Sequence, residues 1–431
     1  MISKTMKLLA DRIQKNRRAL WDWHAEYARI APPPFYCSID LRDSGHKIVP
    51  VDSNLYPAGF NNICPEDLRA APPAFRAQIE AISIQKGIPT ANRILIIPES
   101  HTQNSYYIEN LYYLHQIIQE AGFEARIGWY GALPEGQAGS VTLRSNTGKE
   151  LIAYPLEIRN GLATAGDFTP DILLLNNDFS SGYPKPLDDV SQPILPSHTL
   201  GWHSRKKSEH FRYYNKLAAE FATLLDIDPW LLQIDTEEVG PVNFNEEQGT
   251  EEVSQAIERI LGRTQKAYDS HHINRKPFAF IKNNSGTYGM GIMVAHSADD
   301  VRQMNRRTKN KMSVGKNKLA IDSVIVQEGV PTATLVDRLA AEPVIYLFGC
   351  QLIGGFLRTN TEKGDEENLN SQGMVFKKLC MSDLRTPETE IHEDELEDLK
   401  DEPVLELVYG SIARISALAT GLELAHHTKR L

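Results

Sequence analysis

Cysteine is scarce in this chain of 431 residues, which holds four: Cys37, Cys64, Cys350 and Cys380. None falls in a CxxC pair, which argues against a zinc ribbon or a thioredoxin-type site. So few cysteines in so long a chain also speak against a disulfide framework, and a reducing cytoplasmic setting is the expectation. Long apolar runs are missing as well. No stretch approaches the roughly 20 apolar residues needed to span a bilayer. The N-terminus, MISKTMKLLADRIQKNRRALWDWHAEY, reads as a charged amphipathic helix rather than a signal peptide. Positive charge is in deficit: 46 Lys and Arg against 56 Asp and Glu give a formal net charge of −10. That is the opposite of the basic face a nucleic-acid binder presents. An anionic small ligand stays compatible, because a local cluster of Lys, Arg and backbone N–H groups overrides the global sign. The expected partners are therefore small molecules, without nucleic acid or membrane; a homo-oligomer is compatible with the sequence but not required by it.

What is present is ordinary for a soluble globular enzyme: 41% apolar and 24% charged residues. The length predicts two or three domains. Residues 1–30 have near-helical apolar spacing, ended by Pro32–Pro34, and residues 35–75 read as short strands and loops. Arg93–Pro98 is a short buried strand, 99–105 a polar loop, 106–121 a helix ended by Gly122, and Phe123–Trp129 a second strand. Such a strand–loop–helix–strand unit implies a parallel α/β sheet. Asp171–Asp178 is a further buried strand with a polar tip. After residue 200 the character changes. Helices are expected over 205–225 and 248–269, then strands at Pro277–Asn283, Ser323–Glu328, Val344–Leu347 and Gly354–Thr359. An acidic stretch, Glu388–Glu402, reads as solvated, and a last helix covers 403–420. The chain thus divides into residues 1–200 and 201–431.

Three segments could carry chemistry. In Phe278–Gly291 an apolar strand delivers Lys282 into a loop containing Ser285, Gly286 and Gly289, and a second strand closes a hairpin. Such a loop can fold its N–H groups over a triphosphate, with Lys282 as a point charge. The pattern GxxxxGK[ST] is absent, and a GxGxxG fingerprint would need a helix after the glycines. The competing reading is a plain glycine-rich hairpin with a surface lysine. In Val324–Val330 a strand ends at Gln327, Glu328 and Val330, where backbone groups could meet adenine and a carboxylate the ribose; an ordinary strand end with a turn reads the same way. In the third segment Glu342 opens a hairpin that returns through Arg358 to the oxygen-rich Glu366–Gly373. Those oxygens suit Mg²⁺, and Arg358 could neutralise charge on a transferring phosphoryl group. A solvated acidic loop is the alternative.

The order of these pieces resembles the ATP-grasp superfamily over about residues 200–431. The resemblance implies an α/β and α+β architecture: an ATP-grasp domain of two subdomains (201–431) gripping ATP and Mg²⁺, after an N-terminal Rossmann-like, substrate-binding domain (1–200). It also implies a phosphate-touching lysine near the start of the opening helix, where Lys206 and Lys207 both fit. In many such enzymes a final strand carries an E-x-N metal site. Here the chain stops at Leu431 without it, which leaves Glu342, Glu367, Asn368 and Asn370 as metal candidates.

Val51–Asn62, Pro98–Asn104, Leu175–Asp178 and Trp202–Phe211 narrow the resemblance, nearly end to end, to the proteobacterial, Acidithiobacillus-type glutamate–cysteine ligase family. Asp52, Asn54, Asn61, Asn62, Glu99 and Asn104 lie at strand ends or in the loops after them, where open α/β sheets bind ligands. An α-ammonium group needs an acceptor such as Asp52 or Glu99, and an α-carboxylate a donor such as Arg42, Asn61 or Asn62. Turn formation and loop capping would use the same residue types. The resemblance implies ATP-dependent formation of γ-glutamylcysteine through an acyl-phosphate, with Lys282 and Arg358 at the phosphates and glutamate and cysteine as substrates, the first step of glutathione biosynthesis. Another amino-acid or peptide ligase, a small-molecule kinase and a non-catalytic nucleotide binder are the alternatives on the same scaffold.

Overall fold

The computed structural model describes residues 3–88, 91–99, 104–131, 139–179, 182–285, 291–313, 321–381 and 403–428. The chain opens with helices α1 (Lys4–Lys15) and α2 (Arg17–Ile30), a hairpin of β1 (Tyr36–Asp43) and β2 (Ile48–Asn54), the short α3 (Pro65–Leu68), and α4 (Ala71–Lys86). The expected single N-terminal helix is two, because Asn16 leaves helical geometry at φ −105°, ψ 17°. Next come β3 (Arg93–Pro98), α5 (Ser105–Glu120), β4 (Glu124–Trp129), β5 (Val141–Arg144), β6 (Glu150–Arg159), β7 (Leu162–Ala165), β8 (Ile172–Asn176) and β9 (Ile194–Leu195). The second half runs α6 (Lys207–Leu225), β10 (Thr236–Val239), α7 (Thr250–Ser270), β11 (Ala279–Asn283), β12 (Ile292–Ala295), α8 (Asp299–Arg302), α9 (Arg306–Ser313) and β13 (Val324–Glu328). It ends with β14 (Leu335–Val336), β15 (Leu339–Phe348), β16 (Gln351–Asn360), β17 (Met374–Leu379) and α10 (Val404–Thr428).

These strands build three sheets in a mixed α/β fold. One has the order β5-β6-β4-β3-β8-β9, with β6, β4, β3, β8 and β9 parallel and β5 antiparallel at its edge. Its central strands read R-I-L-I-I-P and I-L-L-L-N, the unbroken apolar runs of strands covered on both faces. The second, β10-β13-β11-β12, is antiparallel; Ile281 and Val326 pack one face onto Ile257 and Ile260 of α7. The third is antiparallel in the order β17-β16-β15-β1-β2.

The third sheet holds the main surprise. The N-terminal hairpin pairs with β15, register Asp40 opposite Val344, so residues from both ends of the chain share one sheet. The division at residue 200 does not follow the sheets. Cys37, Ile39 and Leu41 pack against Leu217 and Phe221 of α6 and Ile412 and Leu418 of α10. By length and hydropathy alone α10 could cross a membrane, yet 83% of that window is buried inside the molecule. Cys64 and Cys380, 316 residues apart, are bonded to each other with a Cα–Cα distance of 5.3 Å; Cys37 and Cys350 are free. One bridge falls short of the disulfide framework argued against above, but a reducing setting gave no reason to expect it. The acidic stretch Glu388–Glu402 lies outside the described residues.

Candidate active site

Strand alternation decides what the N-terminal hairpin presents. Ile39 and Leu41 point into the core, so Ser38, Asp40 and Arg42 point to the other face. Asp40 stands directly opposite Asp52 of β2, and Glu342 of β15 opposite Arg358 of β16. Charges of both signs thus collect on one face of the sheet. The Arg358 guanidinium donates to Asp40 Oδ2 at 2.6 Å and Glu342 Oε1 at 2.8 Å. Arg42 donates to Glu342 Oε2 at 2.8 Å and to the carbonyls of Asp365 and Glu367 at 2.9 and 2.7 Å. Burial pushes Glu342 up, but the two guanidiniums outweigh it and hold its carboxyl below the usual range. Burial wins at Asp40, whose carboxyl is raised despite Arg358. Asp40 Oδ1 and Arg358 Nε are both buried with no hydrogen-bond partner among the described residues. Unpaired buried polar atoms are costly, so two side by side mark a place where something else binds.

The second sheet supplies cations from the opposite side. Lys282, near the end of β11, crosses to the third sheet, where its Nζ donates to Val51 O of β2 at 3.0 Å. It also donates to Gln327 Oε1 at 2.7 Å, and Gln327 in turn donates to Thr236 Oγ1 at 3.0 Å. Only 7% of Lys282 is exposed, and burial lowers its pKa to about 7 from 10.5. Lys207, in the first turn of α6, is ion-paired with Asp52 and lies 4.3 Å from the Trp202 ring centroid. Burial raises Asp52, but Lys207, Lys282 and Arg205 together hold it below the ordinary carboxylate range. The start of α6 is fixed by Asn284, whose carbonyl and side-chain oxygen accept from Lys207 N at 2.8 Å and Ser208 N at 2.9 Å.

Of the residues singled out from sequence, Arg42, Asp52, Lys207, Lys282, Gln327, Glu342 and Arg358 come together here, and Asn54 shares the face of Asp52 two residues on. Others are placed differently. Lys206 turns to Ser323 Oγ at 3.4 Å and lines a cavity of about 880 Å³ with Arg212, Thr236, Glu238 and His426. The Glu328 carboxylate is not open to a ribose: Lys47 holds both its oxygens at 2.9 and 2.8 Å, each side chain 2% exposed. Val330 is core. Ser285 N donates to Asn283 Oδ1 at 3.0 Å, while Gly286 and Gly289 lie outside the described residues. Glu367 accepts from Gly364 N and Lys363 Nζ, both at 2.9 Å, and Asn368 Oδ1 accepts from Asn370 N at 3.0 Å. These three shape a turn whose contribution to the cleft is the Glu367 carbonyl. Asn61 and Asn62 form a 3-10 turn, their side chains 3.1 Å apart, and Asn104 caps α5 by accepting from Tyr106 N at 3.0 Å. Glu99 is buried beside Tyr107, whose hydroxyl accepts from its backbone N–H at 3.0 Å.

Sequence reasoning missed Asp40. Its signal was C-S-I-D-L-R, a strand with charges at every second position. It also missed the buried Arg205–Glu423–His210 cluster behind β2, with Arg205 Nη2 and His210 Nδ1 each 2.8 Å from Glu423 Oε2. No local pattern marks those three.

Lysines and arginines from two sheets that converge with carboxylates between them have the chemistry of a site for small charged ligands. The glutamate–cysteine ligase family model matches residues 10–424, and the chain belongs to that family. The solved structures agree. A provisionally named gamma-glutamylcysteine synthetase from Methylobacillus flagellatus superposes with a TM-score of 0.85 at 34% identity, covering 99% of this chain and 98% of that one. A glutathione synthetase-like effector from Globodera pallida gives a TM-score of 0.32 at 11% identity, over 87% of this chain and 80% of that one, too distant to carry an argument. No curated protein matches the chain. The protein is thus an ATP-dependent ligase acting on glutamate and cysteine.

Proposed function

We propose that the cleft between the second and third sheets is where ATP activates the γ-carboxylate of glutamate as an acyl-phosphate, for attack by the amine of cysteine. The observation that carries this reading is the convergence of Lys282 and Lys207 on Asp52, beside the unpaired Asp40 Oδ1 and Arg358 Nε. Lys282 and Lys207 would hold the phosphates, and Arg358 would meet charge developing on the transferred phosphoryl group. At Glu328 only the backbone remains for adenine, since Lys47 holds the carboxylate. Arg42 is committed to Glu342, so its part is to orient the carboxylate rather than to bind substrate.

An ATP-grasp reading with a Rossmann-like first domain gains support from an unexpected place. The E-x-N strand expected near the C-terminus has a counterpart in Asp52-Ser53-Asn54 on β2, with Asp40 across from it. Asp40, Asp52 and Asn54 form an oxygen set on one face, and the buried, unpaired Asp40 Oδ1 leaves a ligand position open. That set suits a hard divalent cation such as Mg²⁺. We therefore shift the metal role from Glu367, Asn368 and Asn370 to these three residues, with Glu342 as a neighbour clamped by arginines. A divalent cation bound there would neutralise phosphate charge. Apart from this hairpin, residues up to 200 would form the substrate-binding half and residues from 201 the nucleotide-gripping half. The net charge of −10 fits small-molecule substrates without nucleic acid, and we place the reaction in the cytoplasm.

Hydroxylamine tests the reading directly. With ATP, Mg²⁺ and glutamate but no cysteine, it should trap γ-glutamyl hydroxamate. Asp40→Asn and Asp52→Asn should raise the Mg²⁺ concentration needed by ~10–100-fold, the usual cost of disturbing a metal's immediate surroundings. Unchanged Mg²⁺ dependence in both variants would remove the metal assignment, and ADP release without hydroxamate the acyl-phosphate.

A further inference from the structure

Cys64 and Cys380 take no part in the cleft chemistry, yet their setting is specific. Cys64 is buried at the N-terminal end of α3, and Cys380 is exposed, immediately after the edge strand β17. Glu66 Oε2 lies 2.7 Å from Cys64 Sγ and 3.9 Å from Cys380 Sγ. A sulfur in a disulfide has no proton to donate. The short contact to the carboxylate therefore becomes a hydrogen bond only when Cys64 is a thiol. The carboxylate thus favours the thiol, in which the contact is a hydrogen bond, unlike the setting of a purely structural bridge packed in apolar surroundings.

We propose that Cys64 and Cys380 form a thiol–disulfide exchange site for small aminothiols, the chemical class this enzyme consumes and makes. A thiolate attacks Sγ of the exposed residue Cys380, forming a mixed disulfide and releasing Cys64 as thiolate. Cys64 takes a proton from solvent and keeps it in a hydrogen bond to Glu66, whose negative charge disfavours the thiolate and slows the return attack. A second aminothiol attacks the mixed disulfide through its own sulfur, releasing Cys380 as thiolate. The balance is two thiols and the protein disulfide in, one small disulfide and the protein dithiol out, a two-electron exchange.

The bridge has a mechanical consequence that rests on the cleft reading above. It ties β17 to the turn before α3, and β17 sets Phe376 directly opposite Arg358 on the cleft face. Phe376 is 38% exposed and lies 5.1 Å from the Phe356 ring, so it forms a wall beside the guanidinium. Reduction leaves Met381 N to Asp67 Oδ2, at 2.8 Å, as a hydrogen bond still joining the two segments next to the cysteines. The wall loosens without unfolding.

The test equilibrates the full chain in cysteine/cystine mixtures of increasing oxidising strength, quenches with acid, alkylates, and maps thiols by mass. Two thiols at Cys64 and Cys380 should appear and disappear reversibly together, while buried Cys37 stays constant. Cys64→Ser should hold a stable cysteine adduct on Cys380; Cys380→Ser should leave Cys64 largely unmodified. Thiols that persist in excess cystine, a bond that persists in excess cysteine, or zinc bound stoichiometrically to the two sulfurs would each overturn the exchange site. None of these readouts depends on ligase turnover. Separately, the reduced form should show a several-fold higher KM for an amino-acid substrate with the KM for ATP unchanged; equal KM values in both forms would overturn the link to the cleft.

Discussion

Two charge networks lie on opposite sides of one strand and are built to opposite rules. Behind β2, Arg205 grips Glu423 with Nε at 3.0 Å and Nη2 at 2.8 Å, while its Nη1 donates to Ser53 O at 2.5 Å. His210 completes this cluster: Nδ1 contacts Glu423 Oε2 at 2.8 Å and Nε2 contacts Ser416 Oγ at 3.1 Å. Burial lowers the His210 pKa, so the neutral ring donates from Nδ1 and accepts the serine hydroxyl at Nε2. In front of β2, Asp52, Lys207, Lys282, Asp40 and Arg358 leave Asp40 Oδ1 and Arg358 Nε unmatched among the described residues, and Lys282 donates to the neutral oxygens of Val51 and Gln327. The Ser53 side chain, 3.4 Å from Thr420 Oγ1, lies on one side and that of Asp52 on the other, because side chains of neighbouring strand residues face opposite ways. Behind the strand the charges are paired with one another; in front of it two buried polar atoms stay unmatched among the described residues.

Mutation should separate the two sharply. Arg358→Ala should lower turnover by ~10²–10³-fold, the scale of losing one group that stabilises transition-state charge. Lys282→Met should fall in the same class, measured as ADP release that needs both glutamate and cysteine. Its melting midpoint should hold or rise, since a buried cation has been removed. Glu423→Ala should do the reverse. It strands Arg205 and His210 in the interior and should cost ~3–5 kcal/mol of stability in urea unfolding. The protein that remains folded should keep turnover within a few-fold of the parent. Loss of turnover in folded Glu423→Ala as deep as in Arg358→Ala would erase the distinction.

The contrast also explains what could be read before the fold was known. The β3–α5–β4 unit and the β11–β12 hairpin were legible because each is set by local periodicity and its turn residues. The pairing of β1 with β15 was not, since a register between residues some 300 apart leaves no trace in either segment. The strand proposed above to hold the metal, β2, is likewise paired with a strand far away in sequence, so nothing near the C-terminus points to it. Glu328 misled for a related reason: a carboxylate at a strand end fits a ribose, and nothing nearby in sequence reveals Lys47. The bond between Cys64 and Cys380 is hidden in the same way by its span of 316 residues.

A middle-sized effect concerns protons. Burial lowers the Lys282 pKa to about 7, below its ordinary 10.5. Between those values the unfolded chain holds a proton that the folded chain has shed. Stability of the ligand-free protein should therefore rise with pH across that window, and the full cost of the buried ammonium is felt below about 7. A triphosphate beside Lys282 favours the charged form and pulls the pKa back up. ATP binding at pH 8 should thus take up of the order of one proton, seen as a calorimetric enthalpy that varies with the buffer's ionisation enthalpy. Lys282→Met should abolish that dependence, whereas Glu423→Gln, behind the strand, should leave it intact.

The smallest expected difference is between neighbours. Lys206 and Lys207 are adjacent, but only Lys207 enters the open network, through Asp52. Lys206 is half-buried, meets a serine hydroxyl at 3.4 Å and lines the cavity that includes Thr236. Removing Lys206 should change the KM for ATP by no more than about two- to five-fold, the worth of a partly exposed contact of ~0.5–1 kcal/mol. Lys207→Ala should raise it by about tenfold or more, because Asp52 then loses its nearest counter-charge while a phosphate loses a donor. Lys207→Arg discriminates further. It restores charge beside Asp52 without restoring the compact ammonium packed on Trp202, so it should recover Mg²⁺ dependence more fully than the KM for ATP. Equal KM values for Lys206→Ala and Lys207→Ala would mean that the side of α6 on which a lysine emerges does not decide its role, and the division of charge across β2 would lose its predictive force.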